Sequence, residues 1–582
     1  MESKLTYLFR TLKLLTLEFG AMTSIHGVGY ITSSQRTLFE KLLWVLVFGL
    51  SLTGCSWLIR DAYRRWDQNP VIISFDEKTK PIWSFPYPAV TICPETKFQM
   101  AIMNYTEEFL KFERDPSGYK PDLECRESFF SALHICNQNQ LIKIANLLRH
   151  YNGSVETNCQ QTSRKKKNIS LPKESIFESV TLQNVQVNYS EYFKEMLTED
   201  GICYTFNFAG DLFREGVFPE VATPNDALSK DMIWSPEKGY REITPPDGGP
   251  LRAPGTGLNN GLSVDLQLEV SNFDYLCKGP IQGFKVQVNT PTEYPVMSKR
   301  FIRVPLDEEV VALIKPQFVG TSWKLHDYEP ARRNCYFEHE RPLRYFRIYS
   351  QDNCELECLS NYTLSLCGCV KFSMPRIGAK TRVCNASSLP CAVNAEKTIS
   401  TALNASEGRT AFSDTVFQTR CNCLPGCTVL KYDAILTQGR LLWRPYQLAA
   451  GGSNSSKNIH KVRFSLYFKD SQYISITRNE MYGLTDFVAN CGGLLGLFMG
   501  VSLLSLVELI YFCTLRPYVL CHYRDEKGQI KGFQRNRKRV TRQKVIMVET
   551  LDAGIRRRRI VAVRHQIGFR RRLRKMKKQS KV

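Results

Sequence analysis

Residues 487–515 read FVANCGGLLGLFMGVSLLSLVELIYFCTL and carry a single charged side chain, Glu508. A helix needs about 20 mainly apolar residues to cross the hydrocarbon core of a bilayer, at about 1.5 Å per residue. This run is longer than that, and a buried helix of a soluble domain does not require such a length. The stretch therefore predicts a transmembrane helix.

A second apolar run lies near the other end of the chain. Residues 42–59, LLWVLVFGLSLTGCSWLI, carry no charge and are bounded by Lys41 and Arg60. As a helix they would cover about 27 Å, close to the ~30 Å of the hydrocarbon core. The run begins too far from the first residue for a cleaved signal peptide, which favours a retained span. We therefore expect two transmembrane helices.

The net charge of +22 is concentrated in one tail. Residues 514–582 hold 23 Lys and Arg against four Asp and Glu, whereas residues 42–513 hold 50 against 49. The body is thus neutral, and nucleic-acid binding is not expected. Residues 1–41 are also slightly basic, so the positive-inside rule predicts that both ends are cytoplasmic. A basic tail beside a membrane predicts binding to anionic lipid, with a solvated, disordered tail as the alternative.

The segment between the two runs has the composition of an extracellular domain. It contains 16 of the 20 cysteines, an even number suited to disulfides in an oxidising compartment. It also contains eight N-x-S/T acceptors for N-glycosylation. The acceptors are Asn104, Asn152, Asn168, Asn188, Asn361, Asn385, Asn404 and Asn454.

These signals predict a plasma-membrane protein with five parts. Residues 1–41 form a cytoplasmic N-terminus, 42–59 the first span, 60–486 an extracellular domain, 487–515 the second span and 516–582 a basic cytoplasmic tail. Mean hydropathy is −0.27, which excludes a chain with many spans.

The extracellular segment shows both helical and strand periodicity. Residues 261–270, GLSVDLQLEV, alternate strictly between apolar and polar and predict a half-buried strand. Two shorter alternating runs within 462–476 flank Asp470-Ser471 and predict a hairpin. Apolar residues between 141 and 148 recur at helical spacing, as do those of 189–198 more weakly. The expected fold class is therefore a mixed α/β, disulfide-rich extracellular domain.

Five motifs resemble one known family, the epithelial sodium channel/degenerin channels, and in particular its insect pickpocket branch. They occur in the family's order and cover nearly the whole chain. They are TSIHG at 23–27, FPYPAVTIC at 85–93, Cys354-x3-Cys358-x8-Cys367-Gly-Cys369, CNCLPGC at 421–427 and GGLLGLFMGVS at 492–502.

The resemblance implies a trimeric, sodium-selective cation channel that amiloride blocks, with an extracellular stimulus and no cofactor beyond the permeant sodium ion. Each subunit would supply two spans and a hand-shaped domain of palm, β-ball, knuckle, finger and thumb, in a homotrimer or with related subunits. The family's disulfides, carried onto this chain, leave Cys125, Cys136, Cys159 and Cys277 without assigned partners. The implied pairs are Cys93–Cys203, Cys335–Cys427, Cys354–Cys423, Cys358–Cys421, Cys367–Cys391 and Cys369–Cys384.

The resemblance also assigns the pore. Gly500, Val501 and Ser502 correspond to the selectivity filter, where backbone carbonyls and hydroxyls replace the water around an ion. Val501 stands where many relatives have alanine. Ala489 matches the position at which a small side chain lets the gate close, and Asn490 stands where acid-sensing relatives have aspartate.

Other residues of the second span and the N-terminus complete the predicted pore. Gly492, Gly493 and Gly496 lie before the filter, and the spacing of Gly492, Gly496 and Gly500 is the small-xxx-small pattern that lets membrane helices approach closely. Glu508 is predicted to face the pore, since an ionisable side chain inside a membrane needs water or a partner. The alternative is a carboxylate that reaches the inner surface or Arg516. His26-Gly27 matches the family's gating dipeptide.

Two alternatives remain open. A regulatory subunit that conducts only with a partner, or a non-conducting two-span receptor, would share the topology. An enzyme is not expected, because the sequence has neither H-E-x-x-H nor G-x-S-x-G. A metal site in the extracellular segment is disfavoured because Cys-x-Cys spacing suits zinc poorly.

Overall fold

The computed structural model describes residues 2–68, 71–116, 123–150, 170–218, 234–240, 250–378, 381–405, 421–451 and 458–519. The chain forms two compact units. The terminal unit consists of the residues before Asp67 and after Gly483, and the central unit is Asp67–Gly483.

The helices are distributed over both units. In chain order they are α1 Glu2–Met22, α2 Val28–Thr32, α3 Leu38–Gln68, α4 Tyr105–Arg114, α5 Leu123–Ala132, α6 Gln138–His150, α7 Lys173–Ile176, α8 Tyr189–Tyr192, α9 Tyr275–Lys278, α10 Pro330–Arg333, α11 Gln351–Cys367, α12 Leu389–Ala405, α13 Trp443–Ala449, α14 Leu484–Met499 and α15 Leu503–Cys513.

The strands all lie in the central unit. They are β1 Val71–Pro81, β2 Ala89–Pro94, β3 Phe177–Leu182, β4 Val185–Gln186, β5 Phe193–Thr198, β6 Gly201–Phe206, β7 Trp234–Ser235, β8 Gly239–Tyr240, β9 Leu262–Glu269, β10 Phe284–Asn289, β11 Ile302–Val304, β12 Glu308–Thr321, β13 Val429–Arg440, β14 Ile459–Phe468 and β15 Gln472–Glu480.

The terminal unit contains the apolar helices. Within the described residues, α3 is the one helix that is long and apolar enough by itself to cross a membrane. It starts four residues before the predicted span and ends nine residues after it. Leu484–Met499 and Leu503–Val519 meet the same criterion only as a pair, with a bend of 73° between them. Ser51 Oγ of α3 donates to the Phe498 carbonyl at 2.7 Å, which fixes α3 against the end of α14.

The central unit is built on two sheets. An eight-stranded sheet has the order β1-β15-β12-β14-β9-β3-β4, with β13 also paired to β12, and a five-stranded sheet has the order β11-β10-β2-β6-β5. The predicted strand 261–270 is confirmed as β9, whose Val264, Leu266 and Leu268 are buried while the residues between them are half-exposed. Side chains that alternate in this way give each sheet one apolar face for the core.

The predicted hairpin at Asp470-Ser471 is wrong. The two strands form, but in the structure both run parallel to β12, with 463–468 beside 309–314 and 476–478 beside 319–321. The Lys469 amide donates to the Ile314 carbonyl at 3.1 Å, so the chain continues along β12 rather than turning back. Alternation predicts a strand without identifying its partner.

The two helical predictions had different outcomes. The periodicity between 141 and 148 is confirmed by α6, in which Leu141, Ile144 and Ala145 are buried. In 189–198 only α8 is helical, and β5 follows it immediately and pairs with β6 along its whole length. Phe193 is fully buried among aromatic side chains, so tertiary packing outweighs the weak helical pattern there.

Seven disulfides stabilise the central unit. Six are the pairs that the resemblance implies, Cys93–Cys203, Cys335–Cys427, Cys354–Cys423, Cys358–Cys421, Cys367–Cys391 and Cys369–Cys384. The seventh joins Cys136 to Cys277, two of the four cysteines that sequence left without a partner. The side chain of Cys125 and all of Cys159 lie outside the described residues. Cross-links over long loops restrict the unfolded chain and so stabilise the fold.

The glycosylation acceptors differ in accessibility. Asn188 and Asn361 are exposed and Asn104 is half-exposed. Asn385 is only 8% exposed, and its Oδ1 accepts from the Ser388 amide at 3.0 Å and from the Ser388 hydroxyl at 2.6 Å. A glycan on Asn385 would require part of this packing to open, and glycosylation at this acceptor stays a prediction. Asn152, Asn168 and Asn454, and the side chain of Asn404, lie outside the described residues.

A cluster of buried charges lies beside the five-stranded sheet. Asp200, in the turn between β5 and β6, is 5% exposed and accepts from Lys278 Nζ at 2.6 Å and Lys285 Nζ at 2.8 Å. Burial alone would raise the pKa of Asp200, but the charges of Lys97, Lys278 and Lys285 outweigh it and hold that pKa well below its ordinary value. Buried charges persist only when they are paired, so Asp200, with Glu95 at 3.9 Å from Lys285, keeps these lysines in the core.

Candidate ion-conduction site

The long apolar run of the sequence is not one straight helix. α14 ends at Met499 and α15 begins at Leu503, so Gly500, Val501 and Ser502 form a non-helical break between them. Gly500 has a φ of +67°, in the left-handed region that glycine adopts without strain. The predicted filter residues are thus the ones that interrupt the helix.

The local sequence explains how α15 begins. Ser502 Oγ accepts from the Ser505 amide at 3.3 Å, and Ser505 Oγ accepts from the Ser502 amide at 3.0 Å. This reciprocal capping box satisfies two amides that a helix start leaves without partners. The Ser502 hydroxyl therefore has a fixed position at the break, while its side chain remains exposed.

The His26-Gly27 pair lies directly against this break. The His26 amide donates to the Met499 carbonyl at 2.9 Å, at the last residue of α14. A Cβ added to Gly500 would lie 2.8 Å from the His26 ring, closer than carbon atoms approach without displacement. Gly27 itself has a φ of +86° and begins α2. The two glycines allow the N-terminal segment and the break to come this close.

Glu508 contacts the same N-terminal segment. Its Oε2 accepts from the Ser24 amide at 3.3 Å and from the Ser24 hydroxyl at 3.4 Å. Ser24 Oγ also lies 2.6 Å from Oγ of Ser505, which is 1% exposed. The hydroxyl groups of Ser502, Ser505 and Ser24 and the carboxylate of Glu508 thus form a continuous chain of polar contacts.

Arg516 does not bind Glu508 in this structure. Arg516 Nη2 pairs with Glu18 Oε1 of α1 at 2.6 Å, and the Phe19 ring packs edge-on against Phe512 at 5.4 Å. These contacts hold α1 against the end of α15 and the residues that follow it. The alternative in which Glu508 reaches Arg516 is therefore not the arrangement observed.

Ser24 is a residue of this candidate site that sequence reasoning did not single out. It belongs to the TSIHG motif at 23–27, which was the available signal, but the role was assigned to His26-Gly27 alone. Its contacts lie more than 480 residues away along the chain, and local patterns do not reveal such proximity.

The remaining predicted pore residues lie on α14. Ala489 and Asn490 are exposed near its start. A Cβ added to Gly492 or Gly493 would meet no atom within 4 Å, and one added to Gly496 would meet only the Val501 carbonyl oxygen, at 3.8 Å. Packing among the described residues of one chain therefore does not account for these glycines. No three His, Cys, Asp or Glu side chains converge as a metal site in the part of the chain that is described.

Comparisons with known proteins identify the family of the chain. A family model described as the amiloride-sensitive sodium channel matches residues 19–512. The chain is 28% identical to pickpocket protein 28 of Drosophila melanogaster over 513 residues, covering 85% of this chain and 77% of that protein. It is 24% identical to the sodium channel protein Nach of Drosophila melanogaster, covering 86% of each. It is 22% identical to acid-sensing ion channel 1A of Danio rerio, covering 88% of this chain and 90% of that protein.

The matched range includes both the His26-Gly27 segment and the break at 500–502. It also includes all seven disulfides. The chain therefore belongs to the amiloride-sensitive sodium channel family, the epithelial sodium channel/degenerin family of membrane-embedded cation-channel subunits, and it is not an enzyme.

Proposed function

We propose that this chain is a pore-forming subunit of a trimeric, sodium-selective channel that amiloride blocks and an extracellular stimulus opens. The observation that carries the proposal is the interruption at Gly500–Ser502 with His26 against it. Non-helical backbone at membrane depth is tolerated where it lines water or is buried in protein, and a pore provides both. Members of the family assemble as multimeric channels with related subunits.

The proposed filter uses groups that the break exposes. An ion that has lost part of its water shell needs oxygen ligands in its place. Three subunits would each offer the backbone carbonyls of the break and the Ser502 hydroxyl, which the capping box holds in place. Val501 is bulkier than alanine, so it would narrow the space around these ligands.

Glu508 would supply negative charge below the filter. Three carboxylates around one axis attract cations and repel anions. In the structure the Glu508 carboxylate accepts hydrogen bonds from Ser24 of the same chain. The N-terminal segment is therefore proposed to line the inner pore and to set where this charge lies. The selectivity for cations would then depend on the position of the N-terminal segment.

The proposed topology places the disulfide-rich unit outside the cell. Seven disulfides persist in an oxidising compartment, which supports an extracellular Asp67–Gly483. α3 would be the first span, and the bent pair that begins at Leu484 the second, with both termini in the cytoplasm of a plasma-membrane protein. Binding of anionic lipid is proposed for the basic tail 516–582, of which 520–582 lie outside the described residues.

The replacement Ala489→Val tests the proposal without knowledge of the stimulus. Ala489 is exposed on the first turns of α14, and a larger side chain there is expected to prevent the gate from closing. Expressed in oocytes, the variant should give a constitutive sodium current that amiloride blocks, with surface delivery confirmed by biotinylation. Val488→Ile, on an exposed neighbouring position, is the matched control and should stay closed.

If Ala489→Val reaches the surface but carries no current, coexpression with a related subunit distinguishes the two alternatives. If surface protein carries no current alone but conducts when a related subunit is coexpressed, the chain is a regulatory or obligate partner subunit. If it conducts in neither case, it is a non-conducting receptor, and the proposal of a pore fails.

A further inference from the structure

A cavity of about 170 Å³ lies in the central unit. It is bounded by β10, the loop 290–300 that follows β10, the start of α11 and the start of β13. We call it the Glu293 cavity. The segment closed by the Cys354–Cys423 disulfide begins and ends next to this cavity, because the start of α11 and the residues just before β13 both line it.

One wall presents hydrogen-bond acceptors without donors. Gln287 and Asn289 alternate along β10 on the face opposite the core residues Phe284 and Val286. Among the described residues, none donates to Gln287 Oε1 or Asn289 Oδ1, although both atoms are buried. Gln287 is 8% exposed, and its Nε2 donates to the Val296 carbonyl at 3.1 Å, which fixes the orientation of the amide. Buried acceptors are stabilised only when something donates to them.

Glu293 lies at the same cavity. Burial raises the pKa of its carboxyl to about 7, and the charge of Asp352 adds to this rise. Lys431, Lys299 and a hydrogen bond from Thr290 oppose the rise without cancelling it. The carboxyl therefore lacks the cationic partner that would restore an ordinary pKa.

Basic side chains also line the cavity. Lys299 forms ion pairs with two carboxylates at the start of α11, with Asp352 at 2.5 Å and with Glu355 at 2.6 Å. Arg300 and Lys431 also line the cavity, and the described residues form no ion pair of 4 Å or less with either of them. The lining thus offers buried hydrogen-bond acceptors and, in Arg300 and Lys431, cationic groups that attract an anion.

We propose that the Glu293 cavity binds a zwitterion of amino-acid size. The ammonium group would donate to Gln287 Oε1, Asn289 Oδ1 and the Glu293 carboxylate. The carboxylate group would contact Arg300 and Lys431. A simple amine would leave Arg300 and Lys431 without an anion, and a simple carboxylate would leave the acceptors without a donor.

Such a ligand would join β10 to α11 and to β13, which pairs with β12 of the large sheet. An effect of the ligand on channel opening would rest on the proposed function. Binding does not, because the contacts lie within the central unit of a single chain. A binding measurement therefore separates failure of this inference from failure of the pore.

The test is thermal unfolding of the purified full chain in detergent, with each standard L-amino acid as the probe. Butylamine and butyrate serve as probes with one charge each. At least one amino acid should raise the unfolding midpoint by several degrees in a saturable way, because a ligand that binds only the folded state stabilises it. The single-charge probes should not. If no amino acid does so, or if butylamine or butyrate does as well, the inference is overturned.

Single-residue variants show whether the amino acid binds in the Glu293 cavity. Glu293→Gln and the exposed Arg300→Ala should each weaken binding of the active amino acid by about 10-fold or more, since each removes a charge-assisted contact. Glu178→Gln is the control, because Glu178 pairs with Lys461 on the large sheet outside the cavity. Unchanged affinity in both Glu293→Gln and Arg300→Ala would place any binding elsewhere and contradict the inference.

Discussion

Gly500→Ala is expected to abolish the sodium current of the Ala489→Val channel. Alanine in the left-handed conformation observed at Gly500 costs about 1–2 kcal/mol. Its Cβ would also lie 2.8 Å from the His26 ring, so the N-terminal segment and the break cannot both keep their positions. The measurement is whole-cell current normalised to surface protein.

Gly49→Ala is the matched control for this result. Gly49 lies inside α3, has an ordinary helical backbone, and a Cβ there would meet no atom within 4 Å. Alanine stabilises a helix relative to glycine by up to about 1 kcal/mol, so current should be retained. A normal current in Gly500→Ala would mean that the contact between His26 and the break is not part of the open or closed channel.

Asp200→Asn is expected to destabilise the central unit by roughly 3–5 kcal/mol, because removing one partner leaves buried charges uncompensated. Asp200 is the carboxylate between Lys278 and Lys285, and the charge of Lys97 acts on it as well. The midpoint of thermal unfolding should fall by several degrees, with reduced surface delivery. Glu107→Gln, which removes an exposed partner of Lys111, should change stability by less than about 1 kcal/mol.

Asp200 also makes the stability of the central unit depend on pH. The pKa of Asp200 is lowered in the folded state relative to its ordinary value near 4, so its stabilisation is complete above that value. This stabilisation is lost as the pH falls from that value towards the pKa of Asp200 in the folded state. The wild type should lose this stability in acid, and Asp200→Asn should lack that component of the loss. Equal acid sensitivity of the two proteins would contradict the assignment.

Sequence motifs predicted covalent and local features well. Six disulfides followed from cysteine spacings that match the family, whereas Cys136–Cys277 spans 141 residues and has no local signature. The strand 262–269 follows directly from its alternation, because one face must be buried. The buried state of Asn385 was missed, since an acceptor motif carries no information about packing.

Long-range pairing was the part that the sequence left undetermined. β14 and β15 were recognisable as strands, but their partner β12 lies about 150 residues earlier in the chain. The same limit applies to the proposed pore. The family motif located Gly500–Ser502 and His26-Gly27, while the contact of Ser24 with Glu508 depends on how the N-terminal segment folds against the second apolar segment.

The central claim is that the break at Gly500–Ser502 is the filter of a sodium channel. The most direct measurement is the reversal potential of the Ala489→Val current in sodium and in potassium, with and without Ser502→Ala. Thr53→Ala is the control, because Thr53 Oγ1 donates only within its own helix, to the Leu50 carbonyl at 2.9 Å. We predict a reversal potential close to that of sodium, shifted towards potassium by Ser502→Ala and unchanged by Thr53→Ala. A reversal potential that Ser502→Ala leaves unchanged would contradict the account.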